Sequence, residues 1–153
     1  MTPRYATPLV AGLVLLLTIG GCASSEPTTG GVFRADIGRA PERGLIASIS
    51  AQTLQSYGFQ LNLVDADRIT SVWRLQDPSI AQRQEGVSQV RDRATVTTRR
   101  RANDMFNAGL RIEHEIQING MWRSAAPSPA LVGQYESMLE DLERQLQRFM
   151  TQN

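Results

Sequence analysis

Apolar and polar side chains alternate most strictly between Leu110 and Ile118. Leu110, Ile112, His114, Ile116 and Ile118 share one parity, and Arg111, Glu113, Glu115 and Gln117 share the other. Successive side chains of a strand point to opposite faces, so this pattern predicts a strand with one buried face. Asn119-Gly120 follows, the pair that best tolerates the positive φ angles of a two-residue type I′ turn. Met121-Trp122-Arg123 is then the short return strand. The same period recurs at Phe59, Leu61 and Leu63 against Gln60 and Asn62. It recurs again at Ile69, Ser71, Trp73 and Leu75 against Thr70, Val72 and Arg74. Asp65-Ala66-Asp67-Arg68 is a turn between these two runs, which predicts a hairpin. Arg91 to Arg101 predicts a third strand with Ala94, Val96 and Thr98 facing inward.

Two segments carry the longer helical period. From about Pro41 to Tyr57, Leu45, Ile49, Leu54 and Tyr57 form a stripe flanked by Ile46 and Thr53. Pro41 suits a first helical turn, and Gly58 sits where a left-handed C-terminal cap is wanted. From Pro129 to about Met150, the stripe is Leu131, Tyr135, Met138, Leu139, Leu142, Leu146 and Phe149. Ser128 is placed to cap this helix. Residues 76–90 are polar, with Asp77-Pro78 and Gly86, and predict a long mobile connection.

The sum predicts an α+β two-layer sandwich. An antiparallel sheet of about four to five strands would carry an N-terminal and a C-terminal helix packed on one face. The other face, with Arg74, Arg111, Glu113 and Glu115, would stand in water.

The N-terminus has a different pattern. Arg4 precedes an apolar run from Leu9 to Ile19, and Ile19-Gly20-Gly21-Cys22 ends it. The run is short for a membrane span, which needs roughly 20 apolar residues. A charged start, an apolar middle and small residues before a cut point describe a secretory signal. Ile19-Gly20-Gly21-Cys22 resembles the lipobox of bacterial lipoproteins. The resemblance implies cleavage between Gly21 and Cys22, with diacylglycerol on the Cys22 thiol and an N-acyl chain on the new amino terminus. It divides the chain into a removed signal (1–21), a lipidated cysteine with a flexible Ser/Thr/Pro/Gly tether (22–38) and one small domain (39–153). Ala23 rather than aspartate follows the cysteine. In a Gram-negative host that favours the periplasmic side of the outer membrane.

Composition narrows the chemistry. The chain has 16 basic and 15 acidic side chains, and loss of 1–21 removes Arg4 and no acid. A near-neutral domain lacks the basic excess of a nucleic-acid binder, so none is expected as partner. Every basic side chain is arginine, so no lysine is present to form a Schiff base. Cys22 is the single cysteine, and its lipidation leaves no thiol for a disulfide or a metal. No further cofactor is implied.

The remaining candidates each have a plainer structural role. His114 is the only histidine and is in phase with four aliphatic residues, which makes it a core residue rather than a ligand. Asp65 and Asp67 have a spacing that can hold a cation, but hairpin turns favour aspartate and the further ligands of a metal loop are missing. Glu113 and Glu115 point to one face, where a solvated surface explains them better than a glycosidase pair. Arg99-Arg100-Arg101 is the densest charge run; it offers a surface for anionic headgroups, or a strand end offset by Asp104. Trp73 and Trp122 lie near strand ends and suit either a core or an interface. Together these features predict a non-catalytic, membrane-anchored lipoprotein that binds another envelope component, most simply a protein, through Trp73, Trp122 or the arginine run. The alternative is a ligand-binding lipoprotein with loop 76–90 as its lid.

Overall fold

The structure is a computed structural model and describes residues 26–152. The signal segment, the lipobox with Cys22 and the first tether residues lie outside the described residues. The elements run in the order β1 (Glu26–Thr29), β2 (Val32–Ala40), α1 (Arg43–Ser56), β3 (Leu61–Val64), β4 (Arg68–Ser71) and β5 (Arg74–Gln76). They continue with α2 (Ile80–Gln84), β6 (Val87–Arg100), a 3-10 turn (Ala102–Asp104), β7 (Phe106–Ile118), β8 (Met121–Ser124) and α3 (Pro129–Gln152).

All strands join one antiparallel sheet in the order β1-β2-β7-β6-β4-β3, with β5 beside β6 and β8 beside β7. The two long strands β6 and β7 form its spine, paired from Val87 opposite Ile118 to Arg100 opposite Phe106. One face is covered by α1 and α3. Phe33, Ala94, Val96, Leu110 and Ile112 of the sheet meet Ile46, Ile49 and Leu54 of α1 and Tyr135, Met138, Leu142 and Leu146 of α3. Gly58, at φ 82°, closes α1 through Gly58 N–H to Gln55 O and Phe59 N–H to Leu54 O. The Ser128 hydroxyl accepts from Leu131 N–H at 3.3 Å and starts α3.

Among the described residues the sheet has eight strands, which corrects the expected four to five. Its first two strands precede α1, so α1 does not open the domain. β1 and all but the last two residues of β2 come from the segment expected to be a tether, 22–38, and the folded unit begins well before residue 39. Phe33, Ala35 and Ile37 do alternate with Arg34 and Asp36, but Gly30-Gly31 and Gly38 around them give the composition of a linker. These glycines have structural work. A Cβ on Gly31 would press on Ala125 backbone atoms at 2.7 Å. Gly38, at φ 118°, takes up a bulge between Asp36 and Gly38.

The run Ile69–Leu75 is two strands rather than one, broken at Val72-Trp73, and its Leu75 is 63% exposed. Residues 76–90 are not a long loop either. Ser79 and Gln82 form a capping box that starts α2, and Val87–Val90 already belongs to β6. The lid expected there is therefore absent from the described fold. No helix among the described residues is long and apolar enough to cross a membrane.

Candidate functional site

The sheet face opposite the helices is open. Register places Arg91 opposite Glu115, Arg93 opposite Glu113, Thr95 opposite Arg111, Thr97 opposite Gly109 and Arg99 opposite Asn107. Beside β6, Arg68 stands opposite Thr97, and beside β7, Arg34 stands opposite Arg111. These pairs make two regions of different chemistry.

At one end, the Arg91 guanidinium lies between two indoles, 4.3 Å from the centre of Trp73 and 4.0 Å from Trp122. Its Nε and Nη2 both donate to one Glu115 oxygen, at 2.8 and 2.6 Å. Arg93 also stacks on Trp73, 4.6 Å from its ring centre, and donates to Glu113 at 3.0 and 2.6 Å. Arg111 takes the second Glu113 oxygen at 2.8 Å. Leu75 faces the same way, opposite Arg91. The sheet thus brings Trp73 and Trp122 together from distant parts of the chain. Sequence reasoning missed Arg91, which holds them.

At the other end lies a half-open hollow of about 690 Å³. Arg34, Arg68, Arg93, Arg99, Arg101 and Arg111 line it, and Thr95, Thr97 and Gly109 form its floor. Small side chains on the floor create the depression. A Cβ on Gly109 would make only ordinary contacts, 3.7 Å from Ala35 O and 4.0 Å from Thr97 Oγ1. Asp36 also lines the hollow, but its oxygens accept from Asn107 at 3.2 Å and from Gly38 N–H at 3.0 Å. Arg93 and Arg111 share Glu113. Among the described residues, Arg68, Arg99 and Arg101 have no carboxylate partner.

The arginine run is therefore split. Arg99 and Arg101 line the hollow, while Arg100, of the other parity, pairs with Asp104. The signal for the missed residues was the spacing itself: Arg91, Arg93 and Arg99 have one parity on one long strand, interrupted by Thr95 and Thr97, and Arg101 continues that parity just past the strand's end.

On the helix side, Asp92 is fully buried, a position sequence reasoning missed. Arg74 grips it with Nε at 2.9 Å and Nη2 at 2.7 Å, Gln76 donates at 2.9 Å and the Tyr135 hydroxyl at 3.0 Å. Arg74 also donates to the Tyr57 carbonyl and lies 4.1 Å over the Phe59 ring. Burial, reinforced by the Asp92 charge, holds the Tyr135 phenol far above its ordinary range. His114 stands opposite Asp92 and is 1% exposed, and neither ring nitrogen has a partner among the described residues. Burial lowers its pKa below the usual 6.5, against the opposing charges of Asp92 and Glu115. Asp92, His114 and Tyr135 are buried while Arg74 and Gln76 are only partly so, and the cluster ties elements together rather than meeting a substrate.

The other candidates fall apart. Asp65 accepts from Ala66 N–H, while Asp67 pairs with Arg43 at 3.2 Å, so they share no site. Glu113 and Glu115 are each occupied by arginine and do not form a free carboxylate pair. No protein-family model matches the chain, and none of the curated proteins matches it in sequence.

Proposed function

We propose that this chain is a non-catalytic lipoprotein, acylated at Cys22, that binds a protein of the cell envelope through the aromatic end of its open sheet face. In a Gram-negative host it would sit on the periplasmic side of the outer membrane. The observation that carries the reading is the Trp73–Arg91–Trp122 stack. Tryptophan and arginine are the residues most enriched where truncation weakens protein interfaces. Here Glu115 fixes the Arg91 guanidinium between the two indoles on a surface the helices leave bare, and such preorganisation lowers the entropy lost on binding. A non-catalytic role is supported by the occupied carboxylates and the sealed histidine.

The test is affinity purification from gently solubilised native membranes, comparing wild type with Trp122→Ala. The expected result is one stoichiometric envelope protein on wild type, depleted about tenfold or more by the variant at unchanged melting temperature. Equal retention by both chains, or no retained protein, would overturn the reading.

A further inference from the structure

We infer that the arginine-lined hollow takes the phosphate-bearing headgroup of a lipid from the leaflet that holds the anchor. This rests on the anchor proposed above for the nearness of the bilayer, but not for the chemistry of the hollow.

The chemistry comes from three features. Arg68, Arg99 and Arg101 present guanidinium groups to one depression with no carboxylate partner among the described residues. A planar guanidinium fork matches phosphate oxygens two at a time, which an ammonium cannot do. The floor is polar: Thr95 and Thr97 offer hydroxyls, Asn107 an amide, and Gly109 leaves room for a ligand to approach the backbone. Such a floor suits a headgroup and its hydroxyls, not an acyl tail. At about 690 Å³ the hollow has the size of small-molecule sites, which is more than one inorganic phosphate fills.

The position comes from the sheet edge. Glu26 stands opposite Arg34, which lines the hollow. Cys22 lies four residues before Glu26. Four extended residues reach at most about 14 Å. An acylated Cys22 therefore holds the hollow's edge within about 14 Å of the lipidated residue. A folded unit beginning at residue 39 would have had a far longer leash.

The experiment uses the full lipidated chain in a nonionic detergent, titrated with dihexanoyl phosphatidylglycerol, dihexanoyl phosphatidylcholine and inorganic phosphate. Because the chain is held in detergent, it reads the hollow whether or not Cys22 is the membrane anchor. Gly109→Leu fills the hollow and leaves every charge in place. Arg99→Gln and Arg100→Gln remove the same charge inside and outside it. The expected result is saturable binding of phosphatidylglycerol, weakened about tenfold by Gly109→Leu and by Arg99→Gln and unchanged by Arg100→Gln. Inorganic phosphate is expected to bind at least about tenfold more weakly than the lipid. Several results would overturn the inference. Equal binding by wild type and Gly109→Leu would place the lipid elsewhere. Equal losses in the two arginine variants would mean diffuse attraction only. Phosphate as tight as the lipid would make this a site for a soluble anion. Absence of lipid binding, with Arg99→Gln releasing a captured protein, would make the hollow an acidic-protein surface instead.

Discussion

His114 has an unusual position, buried, unbonded through both ring nitrogens among the described residues and beside a buried aspartate. Its place in an apolar parity made its burial legible. Asp92 was not legible, because within Arg91-Asp92-Arg93 it looks like one more solvated charge. Its partners Arg74, Gln76 and Tyr135 come from elements whose packing no local pattern reports. The sign of the pH effect follows from the lowered His114 pKa. Below the ordinary value of 6.5 the unfolded chain takes up a proton that the folded chain refuses. Stability is therefore flat above that value and falls as pH drops below it, by at most about 1.4 kcal/mol per pH unit for one proton. Urea denaturation at about pH 7.5 and about pH 5.5 is expected to show this loss in wild type and a smaller one in His114→Leu, which removes the titrating group. Parallel losses in both chains would mean that other groups drive the acid response.

At the scale of elements, Asp92 explains why a run that looks like one strand is two. Continuing β4 straight through Val72-Trp73 would leave the Asp92 carboxylate without Arg74 and Gln76. The break lets β5 pair with β6 through Arg74 opposite Asp92 and Gln76 opposite Val90. One carboxylate then joins β5, β6 and α3, and through the Tyr57 carbonyl it reaches the end of α1. Removing one side of a buried ion pair leaves the other uncompensated, which typically costs 3–5 kcal/mol, so Asp92→Ala is expected to destabilise by about that much. Tyr135→Phe removes one neutral donor to that charge and should cost about 1.5–3 kcal/mol. Chemical denaturation measures both. A loss for Asp92→Ala smaller than that for Tyr135→Phe would show that the network is not held by its charge. Elements with local signals were legible: the β7–β8 turn at Asn119-Gly120, the Ser128 start of α3 and the Gly58 end of α1. β1 and β2 were not, because the Gly30-Gly31 turn between them and Gly38 within β2 give the segment the composition of a linker, and β1, a four-residue edge strand, is defined only by the neighbour it pairs with.

That edge pair changes the molecule as a whole. With Glu26 already in the sheet, at most Ala23, Ser24 and Ser25 separate the sheet from Cys22. A lipid anchor at Cys22 would then place the sheet edge against the headgroups, with the hollow nearest the membrane. The aromatic stack, on the opposite part of the same face, is left for a partner. The arrangement makes attachment and orientation separable. Cys22→Ser abolishes acylation and is expected to move most of the protein to the soluble fraction on membrane fractionation. The hollow alone cannot replace the acyl chains, since contacts between exposed charges are screened beyond about 10 Å at 0.1 M salt, whereas each buried methylene contributes about 0.8 kcal/mol. Any Cys22→Ser protein still sedimenting with membranes should therefore be released by a salt wash. Salt-resistant attachment would mean that Leu9–Ile19 remains in the chain and holds it to the bilayer, and that the short leash from Cys22 does not set how the sheet meets the membrane.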